Sequence, residues 1–148
     1  MSRLEFRLDL ESVLPLLEHV RPLMEELGNE LASLNSPPED DELISEFWST
    51  DLLNSQRKDL AAIAALFDDD FLESGRAAID EEDADLILRG CAAIRLRLRQ
   101  SALGEISDET LETGDFEIEE LSHEQRLGYA SYALFASLQE LIISQLEL

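Results

Sequence analysis

The stretch LESVLPLLEHVRPLMEELGNELASL, residues 10–34, decides the fold. Within it Leu10, Val13, Leu17, Val20, Met24, Leu27, Leu31 and Leu34 recur at spacings of 3, 4, 3, 4, 3, 4 and 3, an unbroken heptad seam that predicts a long amphipathic helix. Pro15 suits a helix start, whereas Pro22 removes an interior hydrogen bond, so a kink or a restart with Pro22 in a first turn is expected there. Upstream, Leu4, Phe6 and Leu8 alternate with Glu5, Arg7 and Asp9, the period-two pattern of a short strand that needs a partner. Downstream, the Asn-Ser pair and Pro37-Pro38 over residues 35–38 predict the loop that ends the helix.

Working outward, a short helix is expected from about Asp41 to Trp48, with Phe47 and Trp48 anchoring the corner. Thr50 then caps a third helix carrying Leu53, Leu60, Ile63 and Phe67 on one face. Gly75 falls in a linker after Asp68, Asp69 and Asp70. Asp80 stands in a capping position with Glu81, Glu82 and Asp83 in the first turn of a helix running to about Leu103, where Gly104 occupies the C-cap and Arg95, Arg97 and Arg99 meet the negative end of the dipole. From Glu105 to Glu120 there are eight acids and no base, which predicts a solvated linker or mobile loop over about 105–121, into which Phe116 and Ile118 tuck one short strand. Ser122 with Gln125 three residues on is a capping-box pattern, after which Leu127, Ala130, Leu134, Leu138, Leu141 and Ile142 form the apolar face of a last helix. The expected fold is one all-α domain over 1–148, a bundle of four to five helices with a short N-terminal strand.

Charge bounds what such a domain meets. The chain holds 34 acidic and 11 basic residues, a net charge of -23 over 148 residues, and ten of the bases are arginine with Lys58 the only lysine. Self-repulsion on this scale has to be offset by apolar burial, and a basic partner is steered in at low salt. The N-terminal residues lack the apolar core of a secretory signal, and the longest uncharged run, Leu127 to Gln139, is too short for a span of about 20 residues. A cytoplasmic protein without membrane insertion is therefore expected. Cys91 is the single cysteine, which rules out an intramolecular disulfide or a multi-cysteine metal site. The arginines sit among neighbouring acids and form no basic stripe, so direct nucleic-acid binding is not expected.

The strings Glu46-Phe47, Thr50-Asp51-Leu52-Leu53, Asp80-Glu81-Glu82-Asp83-Ala84 and Ile94-Arg95-Leu96, with the terminal Leu138-Gln139-Glu140, resemble domain-of-unknown-function family 2017 over most of the chain from about residue 12. The resemblance implies a helical fold, supplies no established catalytic residues to carry over, and implies a role near regulated protein turnover or stress control. This chain departs from it in the acidic segment from Glu105 to Glu120 and in its single Cys91, which leaves no pair for a two-cysteine redox switch.

Chemistry-bearing residues are few. Glu120-x-x-His123 has the i, i+3 spacing of bundle metal sites, but one copy does not make a site, and His19 lies about 200 degrees around its helix from Leu17, off the seam and toward water. No catalytic residue, metal site or cofactor is expected. Arg95 shares a helical face with Ala84, Leu88, Cys91, Leu98 and Ala102, so it points inward or along a groove. Two roles stay open for it: snorkelling along apolar surface while paired with Glu46 or Asp51, or recognising an anion. Cys91 reads as a small buried hydrophobe, with a reactive thiol as the alternative. The heptad seam reads as bundle core or as a surface for a homodimer or a partner helix.

The function these features favour is a non-enzymatic interaction or regulatory module whose acidic surface recognises a basic protein. Arg95, Trp48, Phe116, Glu112 and Asp115 are its candidate partner-binding residues. The alternatives are a metal-binding helical-bundle enzyme and an acid-rich structural protein of a salt-tolerant host with no specific charge partner.

Overall fold

Residues 3–32 and 42–146 are described by a computed structural model, as are their side chains except those of 42–48. Along the chain run β1 (Arg3–Arg7), α1 (Leu10–Leu27), α2 (Glu42–Leu66), α3 (Asp69–Ser74), β2 (Arg76–Asp80), a 3-10 turn (Glu81–Asp83), α4 (Ala84–Gln100), α5 (Asp108–Thr113), a second 3-10 turn (Ile118–Glu120) and α6 (His123–Leu146). The fold is the expected all-α bundle with a short N-terminal strand: α1, α2, α4 and α6 carry the core, and α3 and α5 are six-residue helices.

The first helix is shorter than the seam suggested. It runs unbroken through Pro15 and Pro22 and stops at Leu27, so Leu31 lies beyond it, and Leu34 falls outside the described residues. Both prolines sit on the exposed side, where the carbonyls they leave without an N–H partner face water. The seam divides by position. Val13, Val20 and Leu27 are buried in the core, whereas Leu10, Leu17 and Met24 are half-buried along its edge.

The lone strand finds its partner in a segment expected to be linker and helix start. β2 pairs antiparallel with β1 in the register Arg3 with Asp80, Leu4 with Ile79, Glu5 with Ala78, Phe6 with Ala77 and Arg7 with Arg76. Ala77 and Ile79 alternate inward there, a period-two signal that the acidic capping run beside it obscures. Asp80 consequently ends a strand, its side chain makes no cap bond, and α4 begins only at Ala84. Gly75 turns the chain into β2 in a left-handed conformation at φ 76°. A Cβ at Gly75 would lie 2.6 Å from the Leu8 carbonyl, so both the backbone angle and the space call for glycine.

Three further boundaries differ from expectation. The two helices expected over 41–67 are one continuous α2, with Thr50 inside it. α4 ends at Gln100 with Ser101 as C-cap, and Gly104 is not left-handed, since the turn over 101–104 closes instead through Leu103 N–H to Leu98 O at 2.9 Å and Gly104 N–H to Ser101 O at 3.0 Å. The acidic segment is ordered: Ser107 caps α5 by accepting from Thr110 N–H at 3.2 Å, Leu111 is buried, and Gly114 ends the helix at φ 68°. Phe116 and Ile118 form no strand; Phe116 lies in a bend and Ile118 opens a 3-10 turn. The capping box at Ser122 forms as expected, with Ser122 N–H donating to Gln125 Oε1 at 2.9 Å and Gln125 N–H to Ser122 Oγ at 3.1 Å. The buried face of α6 is rotated from the expected one toward Gly128, Ser131, Tyr132 and Phe135, keeping Leu138 and Ile142. Among the described residues no helix is long and apolar enough to cross a membrane.

Candidate interaction surfaces

A groove runs between α1 and α2. Its floor is Val20, Ile63 and Phe135, its walls are Leu14, Leu17 and Met24 on one side and Leu60, Ala64 and Phe67 on the other, and Leu72 of α3 closes one end, enclosing about 560 Å³. Leu14 and Leu72 stand 36% and 44% exposed on its lips, an apolar pair left open among the described residues. Phe67 is held at its end by an edge-to-face contact with buried Phe71, the ring centroids 5.0 Å apart.

The groove stays open because α1 and α2 are joined by a polar clamp at their other end. Gln56, buried on α2, donates from Nε2 to Leu27 O at 2.6 Å and Glu30 O at 2.8 Å, and accepts from Ala32 N–H at 3.0 Å. These bonds satisfy backbone groups left orphaned where α1 stops. Arg57 adds Nε–H to Gly28 O at 2.7 Å. Neither residue stands out in the sequence, since each sits among other polar residues and the carbonyls they serve are some 26 to 29 positions away.

On the opposite flank, α2 crosses α4 at close range. A Cβ at Gly90 would lie 2.7 Å from Ile63 Cγ1 and 2.9 Å from the Asp59 carbonyl, so only glycine permits that approach. Asp59 is buried beside it and pairs with Arg89 at 3.3 Å. Loss of hydration raises the Asp59 carboxyl above its ordinary value, while the Arg89 charge and hydrogen bond pull it down.

The three arginines at the end of α4 each bind a different element. Arg95 donates to Gln139 Oε1 at 2.5 Å and to Tyr132 Oη at 3.0 Å, and its guanidinium lies 4.5 Å from the Tyr132 ring centroid. Arg97 binds Glu30 at 2.6 Å and Leu31 O at 3.3 Å, fastening the chain that follows α1. Arg99 reaches Asp108 of α5 at 3.7 Å and stacks 5.3 Å from the same Tyr132 ring. Arg95 is half-buried between α4 and α6, and its partners are a neutral amide and a phenol of α6. Asp51, one acid expected to pair with it, is exposed and makes no such contact, and the Glu46 side chain falls outside the described residues.

The remaining candidates scatter. The Trp48 side chain lies outside the described residues. Phe116 is half-buried against Tyr129, ring centroids 4.7 Å apart, so it holds the acidic segment to α6 instead of standing clear as an anchor. Glu112 and Asp115 are exposed beside it. Cys91 is fully buried, and burial pushes its thiol up to about 12 against the opposing charge of Arg95, which makes it the inert hydrophobe of the two readings. Glu120 and His123 are both on the surface, and His19 is half-buried where water-facing was expected. Asp80, Glu82 and Asp83 bring carboxylates within 4.8 Å of one another at the surface, with Asp80 already 3.9 Å from Arg3. No protein-family model, curated protein or solved structure matches the chain.

Proposed function

We propose that this protein is a non-enzymatic interaction module whose α1–α2 groove receives a basic amphipathic helix of another protein. The carrying observation is the groove itself, an apolar channel left open among the described residues in a chain of net charge -23. From Leu14 to Glu25 it follows α1 for roughly three turns, about 16 Å at the usual helical rise, a length that suits a partner helix inserting apolar residues at i, i+3, i+4 and i+7. The ground around it is acidic: Glu18 and Glu25 line it, and Glu11 on α1 and Asp69 and Glu73 on α3, close in sequence to Leu14 and Leu72, are exposed, against the lining bases Arg21 and Arg57, and Arg57 is engaged with Gly28 O. That sign pattern steers a basic helix and repels a second copy of this chain, which disfavours the homodimer reading of α1. The resemblance to domain-of-unknown-function family 2017 fits the same role, since it implies a helical protein acting near regulated protein turnover and supplies no established catalytic residues to carry over.

The test is a fluorescence-anisotropy titration with two designed helical peptides that share one leucine face and carry either lysine or glutamate on the other. The lysine peptide should bind saturably, weaken as salt rises to about half-molar, where the Debye length falls to roughly 4 Å, and lose binding to a Leu14→Asp, Leu72→Asp double variant. Equal binding of both peptides, or binding unchanged by the double variant, would overturn the assignment.

A further inference from the structure

We propose that the outer face of the β1–β2 sheet is a binding site for a dianionic oxyacid group of the phosphate monoester class, held by Arg7 and Arg76. The register sets these two arginines directly opposite each other, on the face away from Phe6, Ala77 and Ile79. Like charges directly opposite across a strand pair repel, and this chain has only 11 bases among 148 residues to place. Arg3, on the same face, is neutralised by Glu5 at 3.7 Å and Asp80 at 3.9 Å. Arg7 and Arg76 have no such relief: both are exposed, and among the described residues neither has a carboxylate within ion-pair distance.

They open onto a concavity of about 590 Å³ that runs from the sheet to the end of α2 and the start of α3. Ala78 lines it from the outer face of the sheet and Ala65 from α2, Ala77 borders it where β2 meets α2, and its carboxylates are Glu5, already paired with Arg3, and Asp68 and Asp70 on the far side. Asp68 is committed to capping α3, accepting from Phe71 N–H at 2.9 Å. Asp70 lies beyond ion-pair distance of both arginines, so the two signs face each other across a gap instead of cancelling. Two guanidiniums supply the charge and the forked donors that a phosphate dianion accepts, and the Asp70 carboxylate would accept from a hydroxyl or amino group on the body of the same ligand. This site is separate from the α1–α2 groove and stands or falls independently of it.

The experiment is a titration of the full chain with inorganic phosphate, and with acetate at matched ionic strength, followed by backbone amide NMR shifts of β1 and β2. Phosphate should give saturable shifts confined to Arg3–Arg7 and Arg76–Asp80, with acetate much weaker. Phosphate binding should weaken by about tenfold or more in both Arg7→Gln and Arg76→Gln, the usual order for losing a charge-assisted bond, and stay unchanged in Lys58→Gln, which alters net charge equally. Equal shifts from the two anions, an equal loss in Lys58→Gln, or no loss in either arginine variant would overturn the proposal. If the anion arm holds, glycerol 3-phosphate should bind tighter than inorganic phosphate to the wild type but not to Asp70→Asn; no gain in the wild type would refute the role given to Asp70.

Discussion

Along its α4 flank, α2 approaches so closely that one methyl group on Gly90 would sit 2.7 Å from Ile63, while along its α1 flank the same helix borders an open channel of about 560 Å³. The apolar content of the two flanks is similar; the spacing of the backbones is not. On one side a glycine lets the helix axes come together until side chains interlock. On the other, a polar clamp at Gln56 fixes one end of α1, and Leu14, Leu17 and Met24 line the channel that remains. A bundle of this composition is therefore held shut by small residues and buried hydrogen bonds, and leucine alone leaves a seam.

The comparison is broken most severely at the clamp. Gln56→Ala strands Leu27 O and Ala32 N–H in a buried position and Glu30 O in a half-buried one, and should cost about 3 kcal/mol in urea unfolding, with loss of amide protection at the end of α1. A loss under about 1 kcal/mol would mean water takes over those bonds. Next, Gly90→Ala forces α2 and α4 apart and should cost about 1–3 kcal/mol by the same measurement. By contrast, Leu14→Asp with Leu72→Asp should cost only about 1 kcal/mol, because both side chains already meet water over a third or more of their surface. A large loss there would show that the channel is closed in solution.

The smallest effect sharpens the tight flank. Burial holds the Asp59 carboxyl above its unfolded value of 3.8, so the folded state binds that proton more tightly than the unfolded state does. Its contribution is most favourable below the unfolded pKa and is lost as pH rises through the folded one. Asp59→Asn removes the buried charge, and the exposed Arg89 can turn to water, so at pH 7 the variant should melt at or slightly above the wild type. The difference should shrink as pH falls through the carboxylate range. A clearly lower melting temperature at pH 7 would mean that the Arg89 pair outweighs the burial.

Much of this architecture is legible in the sequence, and the misses share a cause. The seam from Leu10, the capping box at Ser122 and the inward set of α4 depend on residues within a turn or two of each other, so pattern finds them. The pairing of β1 with β2, the Gln56 clamp and the Gly90 crossing join residues that are 24 to 77 positions apart or depend on how near two backbones come. Arg95 shows the division within one side chain: helical periodicity places it on the inward side of α4, but only the fold pairs it with Gln139 and Tyr132. The acidic segment misled for a different reason. Eight acids read as solvated chain, and they are, yet Leu111 and Phe116 are enough to fasten their backbone to the bundle.

Cys91 gives the molecule an internal clock. Its sulfur is sealed in the core with a thiol pushed up to about 12, and the chain has no second cysteine to confuse the signal. An alkylating reagent at pH 8 can therefore meet a thiolate only when the bundle opens. The rate of adduct formation reads how often the helices part, and a partner seated on the native surface would register as a slowing of that clock.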